Sequence, residues 1–433
     1  MSSAAHSTHE SDVPPAPPSH DPVPPIARAS APRFGSVRAA FRPQRAGVAY
    51  ALVLLVVALM IATAVRGQPA YLSVTNASNI VGQAAPYGIL AIFMTVVLIS
   101  GNFDLSVGSV AALAGAVALL TIDDVGTVGA VALALGAGLV AGTINAVLVQ
   151  VIGVNAFIVT LGSLTAIRGV VLILLNGESV TAQSQALASF DAHTVAVPAA
   201  LCVVVGGAVL AGAAARFRAA LRAADSVPLD GFFVASVAVG AGAIVLAIFA
   251  PGALTQPLPV WLMLALSLVV SLVLRFLTVG RNLHAVGSSP EAARLSGINV
   301  NRYKMVPFVL SGVAAAGVGV IFAGQFNSLD PNALSGTELT VIAAAILGGT
   351  SLFGGAGYVA KSVLGTIVLF TLSNGFNVLN LGSNYQYVVQ GVVLVAASAI
   401  YTVASRGGTT RARAEPETAN AGADAASDVP GRP

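Results

Sequence analysis

The sequence predicts an all-α protein, a polytopic bundle of transmembrane helices, and three observations carry that prediction. Of the 433 residues, 56% are apolar and only 9% are charged. With a mean hydropathy of +0.87, the chain lies well outside the range of soluble globular domains. The apolar residues fall in runs of about 20, the length that crosses roughly 30 Å of hydrocarbon as a helix. Lys and Arg collect between certain runs and are missing between others, as opposite faces of a membrane require.

Residues 1–46 are rich in Pro, Ser, Ala and Arg and lack the periodicity to build a core, so they are expected to form a disordered tail. Arg28, Arg33, Arg38, Arg42 and Arg45 precede the first span and point to a cytoplasmic tail. The segment is too long and polar for an ordinary signal peptide. Spans are then expected at 47–65, 80–100, 105–122, 127–151, 155–175, 195–214, 232–250, 259–278, 305–324, 357–377 and 386–403. The shorter ELTVIAAAILGGT, 338–350, reads as a half-span or broken helix, tolerated at membrane depth only when packed against protein.

Counting that piece, the transmembrane region 47–404 makes about twelve crossings. A second disordered tail, 405–433, then lies on the same side as the first, with Arg406, Arg411 and Arg413 near its start. The loops agree: 215–231 carry Arg216, Arg218 and Arg222, and 279–304 carry Arg281, Arg294, Arg302 and Lys304. The opposite loops, near 177–194, 251–258, 325–337 and 378–385, contain neither Lys nor Arg. Segments such as GAVALALGAGLVAGTINA and SGVAAAGVGVIFAG are thick with small residues, which let helix backbones approach closely.

Several chemistries are excluded. The one cysteine, Cys202, lies in an apolar run, so no disulfide framework forms within the chain. The five histidines, His6, His9, His20, His193 and His284, have no metal-ligand spacing. GGAGYVAKS, 354–362, comes within one residue of a phosphate-binding loop. However, a phosphate loop follows a buried strand and opens a soluble helix, whereas this one lies between a broken membrane helix and a span. Its glycines instead suit a tight turn between packed helices.

Polar residues where hydrocarbon is expected carry more information. Asp104, in SGNFDLSVGS, sits at a break between runs, and Ser106 is placed to cap the following helix. An unpaired mid-membrane carboxylate costs at least about 2.5–3.5 kcal/mol, so Asp104 is read either as satisfied at a helix terminus or as a solute contact. Arg168 lies nearer the middle of its span, to be paired with Asp104 or with backbone carbonyls. Lys361 enters the first turn of a span and can snorkel to the surface.

The segment GRNLHAVGSSPEAARLSGINVNRYK, 280–304, contains a short bounded helix outside the membrane. Ser288 or Ser289 before Pro290-Glu291 starts it and Gly297 stops it. It is read either as an interfacial helix or as a docking helix presenting one apolar face of Ala292, Ala293, Leu295 and Ile298, flanked by Glu291 and Arg294.

GNFDLSVGS, NAFIVTLGSLTAIRG, GRNLHAVGSSPEAARLSGINV, DPNALSGTELTVIAAAILGGTSLFGGAG and SNGFNVL occur in an order that resembles the membrane permeases of ribose- and xylose-type ABC sugar importers. The resemblance covers roughly residues 75–400. It implies a permease of the bacterial plasma membrane that carries a monosaccharide inward, and the longer 215–258 region is similar to the xylose-type arrangement. The implied partners are a cytoplasmic ATPase, an external sugar-binding protein, a second permease copy as a homodimer and membrane lipid, with no nucleic acid. No cofactor is implied in this chain; ATP and Mg belong to the ATPase.

By the same resemblance Glu291, Ala292, Ala293, Arg294, Leu295, Ser296 and Gly297 form the coupling segment that docks on the ATPase. Asp104, Ser106, Asn155, Thr160 and Glu338 match family motifs or neighbouring polar positions that could meet solute. Thr350, Ser351, Asn374 and Asn377 do so as well.

Two other classes fit less well. An ion-coupled transporter needs several mid-membrane carboxylates or histidines, and a membrane enzyme needs a clustered catalytic set. Purified alone, the chain is expected to release no phosphate from ATP above a no-protein control. Turnover by the isolated chain contradicts this division of labour.

Overall fold

The computed structural model describes residues 43–182, 194–222 and 231–381, with single positions at 187, 385, 388, 391, 392 and 395. The expected tails and the run 386–403 lie outside these, apart from 43–46 and four of the single positions. Twelve helices make up the described chain: α1 Pro43–Val65, α2 Val74–Ile99, α3 Val107–Gln150, α4 Ala156–Leu174, α5 Ala199–Arg222 and α6 Gly231–Phe249, then α7 Leu258–Phe276, α8 Thr278–Ser288, α9 Pro290–Leu295, α10 Val300–Phe326, α11 Thr337–Leu347 and α12 Val359–Val378. Eight of the described helices are long and apolar enough to cross a membrane.

Local chemistry sets several boundaries. Ser73 caps α2 by accepting from the Asn76 N–H, Asn155 caps α4 by accepting from Phe157, and Asn299 caps α10 by accepting from Arg302. Two expected loops prove helical in much of what is described of them. Arg216, Arg218 and Arg222 belong to the end of α5, and 279–304 is taken up by α8, α9 and the start of α10. Polar residues mark a chain leaving hydrocarbon, but they do not end a helix unless glycine, proline or a cap does so.

α3 has 44 residues and would measure about 66 Å as a straight rod. It is instead a hairpin that turns at Gly126, whose φ of 72° and ψ of 172° break the helix. Asn145 on the second arm accordingly donates to Ser106 at the foot of the first, over 39 residues of sequence. The expected spans 105–122 and 127–151 are these two arms.

Both arms lie against α10, with glycine as the contact residue. A Cβ on Gly312 would strike the Gly138 carbonyl and fall 2.9 Å from the Gly142 Cα, and one on Gly319 would meet the Ala111 carbonyl. The core formed here is built of small side chains: Ala111, Ala112, Ala315 and Ala316 are fully buried.

β1 Val180–Thr181 pairs antiparallel with β4 Ser328–Leu329, joining the connections that follow α4 and α10. β2 Thr194–Ala196 pairs with β3 Thr255–Pro257, with Thr194 opposite Pro257. That second pair closes the excursion formed by α5 and α6, which approach each other at Gly206 and Gly240.

Between α10 and α11 the chain runs as non-helical backbone alongside the first arm of α3. Leu329 lies against Gly115, and the Leu334 carbonyl and Glu338 carboxylate lie against Gly108. α11 then continues for 11 residues. The broken helix expected at 338–350 is therefore present, starting at Thr337 and ending at Leu347.

Gly312→Ala is expected to destabilise the protein by about 1–3 kcal/mol through overpacking. Gly317→Ala, on the same helix with nothing within 4 Å of the new Cβ, should be neutral or slightly stabilising. Thermal denaturation in detergent separates the two; equal stability in both variants contradicts the close α3–α10 contact.

Candidate functional site

α9 is a fully bounded turn of helix. Ser289 Oγ accepts from the Ala292 N–H at 3.3 Å, Pro290 occupies the first helical position, and Gly297 leaves at a φ of 78°. Ile298 N–H donates back to the Ala293 carbonyl at 3.0 Å, closing the C-terminus.

The single apolar face expected of Ala292, Ala293, Leu295 and Ile298 does not form. Ala293 is 3% exposed and buried with Val286 and Val300, with Ile298 packed beside them, whereas Leu295 is 92% exposed and Ala292 also faces out. At 100° per residue, Ala293 and Leu295 lie on opposite flanks of so short a helix. One side seats α9 on the body and the other presents Glu291, Arg294 and Leu295 outward.

The end of α8, just before α9, lies in a seam of glycines. A Cβ on Gly287 would strike the Ile99 carbonyl, and one on Gly354 would lie 2.6 Å from the Gly287 carbonyl and 2.9 Å from the Gly101 Cα. Gly355 N–H donates to the Ile99 carbonyl at 2.9 Å, and His284 Nδ1 lies 3.0 Å from the Gly355 carbonyl. The end of α2, the end of α8 and the turn at 351–356 are thereby held together. The stretch resembling a phosphate loop spends its glycines here, in contacts between backbones.

Asp104 lies a few residues along from that seam and is 1% exposed. Its Oδ1 accepts from the Ser106 N–H at 3.0 Å and Ser106 Oγ at 2.6 Å, and its Oδ2 accepts from Ser311 Oγ at 2.7 Å. Ser106 does not cap α3 with its side chain, contrary to expectation. The hydroxyl donates to Asp104 instead, and Asp104 takes the Ser106 N–H as well.

The arrangement extends further: Ser163 Oγ donates to Asn145 Oδ1 at 2.5 Å, and Asn145 Nδ2 donates to Ser106 Oγ at 2.9 Å. Donors therefore run in one direction from α4, across both arms of α3, to a carboxylate also held by α10. Asn145, Ser163 and Ser311 were not picked out from sequence. Each is a small polar residue within an apolar run, the only signal available, and many such residues merely bond their own helix, as Thr143 and Thr160 do beside them.

Arg168 does not pair with Asp104. It donates through Nη1 to the carbonyls of Pro331 and Ala333, both at 2.8 Å, while the charges of Glu338 and Asp330 reach it. These carbonyls belong to the non-helical stretch before α11, beyond the two-residue ladder of β4, where no ladder satisfies them. Glu338 Oε1 accepts from the Gly336 N–H at 3.1 Å, bracing the same stretch.

The other expected solute residues are dispersed. Asn155 is an exposed cap and Thr160 is buried, bonding the Ala156 carbonyl. Thr350 meets Ser362, which also bonds Thr95, and Ser351 Oγ accepts from the Phe353 N–H. Asn374 donates to Asn76 Oδ1, and Asn377 is exposed. Lys361 Nζ sits 4.6 Å from the Tyr358 ring centroid. Outside the spans, burial pushes the Tyr71 phenol up to about 12, so it stays protonated and donates to the Thr371 carbonyl at 2.9 Å. Of the expected residues, the structure gathers Asp104 and Ser106, with Glu338 against Gly108 two residues further on.

A family model described as branched-chain amino acid transport system / permease component matches residues 76–398. The xylose transport system permease protein XylH of Escherichia coli K12 is 34% identical over 358 residues, covering 80% of this chain and 90% of that protein. The ribose import permease protein RbsC of the same strain is 32% identical over 345 residues, covering 79% and 91%. RbsC of Haemophilus influenzae is 29% identical over 355 residues. No solved structure matches the chain significantly. Together with a bundle of apolar helices and a capped helix set outside them, these matches make the chain a multi-pass membrane permease, a transporter component belonging to the permease family that includes XylH and RbsC.

Proposed function

We propose that the chain is the membrane subunit of an ABC importer that carries a monosaccharide, with a pentose favoured, inward across the bacterial plasma membrane. A separate ATPase drives it, an external binding protein delivers the sugar, and a second copy of the chain completes the pathway. The observation that carries this reading is α9, a capped helix outside the spans with one side buried in the permease and Leu295 almost wholly exposed. Such a helix can transmit a push because its buried side is rigidly seated.

The α9 end is assigned to the cytoplasm by Arg281, Arg294, Arg302 and Lys304. Arg66, in the first connection on the other face, is engaged in structure, donating to the Leu379 carbonyl beyond α12 at 3.0 Å. α4 suits the face that meets the second copy. It exposes Ile158, Leu161 and Ile173 beside Gly162 and Gly169, and polar bonds from Ser163 and Arg168 hold it to the body. A pentose is supported by XylH and RbsC as relatives and by the α5–α6 excursion. The family description supports a second reading, transport of branched-chain amino acids.

Leu295→Asp should lower sugar uptake at least about tenfold, as expected for a charge placed at an apolar contact, with the partner's ATPase no longer stimulated by loaded binding protein. Uptake at the unsubstituted level rules out docking through α9. A panel of labelled pentoses, hexoses and branched-chain amino acids, in cells with and without the chain, tests the substrate. Pentose uptake should be lost in its absence, and selective loss of leucine or valine uptake establishes the second reading.

A further inference from the structure

Among the described residues, the two most exposed large apolar side chains are Phe353, at 93%, and Leu295, at 92%. The next, Val128 at 85%, lies beside the Gly126 turn of α3. Phe353 and Leu295 both lie outside the apolar spans, at the α9 end. Phe353 is held at the tip of a turn: Ser351 N–H donates to the Ala356 carbonyl at 2.9 Å, and Phe353 N–H donates to Ser351 Oγ at 3.2 Å. Gly354 and Gly355, at φ of 87° and 74°, give the turn its shape, so the ring contributes little to the fold of its own chain.

That turn is fastened to the base of α9. Gly355 bonds Ile99 and lies against Ser288, the residue before the Ser289 cap, while Gly354 lies against Gly287. Two nearly naked apolar side chains therefore stand on elements fastened to each other, and the segment that carries Leu295 also exposes Ser288, Glu291, Arg294 and Ser296. An aromatic and an aliphatic residue within a polar rim is the anatomy of a protein–protein docking patch.

We propose that Phe353 is a second docking residue for the ATPase subunit, inserting into an apolar pocket on the same partner surface that receives Leu295. This rests on the α9 docking reading and extends it from one contact to two. A single short helix can pivot about its contact, whereas a second contact on the fastened turn fixes the angle of approach. Movement of the partner is then delivered to α2 and α8 together, through the seam at Ile99, Gly287 and Gly355.

The test uses the full chain in nanodiscs with its ATPase subunit. In a Cys202→Ser background, which removes the native cysteine, Phe353→Cys carries a bimane label as a polarity reporter. The label should shift to the blue when the ATPase is added. Phe353→Ser, with unchanged thermal stability, should bind the ATPase about tenfold more weakly.

Quenching of the label by brominated phospholipid without ATPase, and no response to ATPase, makes Phe353 a lipid contact and overturns the proposal. Unchanged ATPase affinity of Phe353→Ser also overturns it, and if Leu295→Asp still breaks binding the α9 reading survives alone. Normal binding by Leu295→Asp removes the α9 reading and the two-point surface with it.

Discussion

Every backbone N–H and carbonyl at membrane depth must find a partner within the protein, and this constraint organises the bundle. Helices meet it by themselves, but the 100–106 break and the 327–336 stretch do not. Two charged side chains that the sequence places among apolar runs, Asp104 and Arg168, serve these two places. Asp104 accepts the Ser106 N–H and draws in Ser311, and Arg168 takes the carbonyls of Pro331 and Ala333. Each charge is itself satisfied by the irregular backbone and hydroxyls that it satisfies.

Close approach of backbones has a second consequence. Where α3 meets α10 and where the 351–356 turn meets α8, glycine leaves no side chain to slide or to change rotamer. Such contacts are stiff, which suits a body that must pass a displacement from α9 inward. α4 is held differently, by hydrogen bonds that Ser163 and Arg168 donate and one that the Leu164 carbonyl accepts from Ser109 Oγ, with few of its residues buried.

Much of this was legible beforehand. Ten of the eleven expected spans appear as helices or as arms of α3, because a run of apolar residues can be nothing else in a bilayer. The caps of α9 were legible because Ser-Pro-Glu and Gly-Ile-Asn are local signals. The face of α9 was not: four small or apolar residues look alike in sequence, and only the position of Val286 and Val300 decides that Ala293 turns inward and Leu295 outward. The role of Ser106 was misread for the same kind of reason, since a nearby carboxylate offered its hydroxyl a better acceptor than its own helix.

By itself, the sequence determined the membrane class, the rough limits of most spans, the bounded helix at 290–295 and the family resemblance, all of which depend on composition or on neighbours within a few residues. Only the tertiary structure decided that Asn145, Ser163 and Ser311 join Asp104, that Arg168 braces a non-helical strand, and that the turn carrying Phe353 is fastened at the base of α9. Those pairings span tens to hundreds of residues. The energy of a buried hydrogen bond or a glycine contact depends on what the fold brings opposite, which no local pattern records.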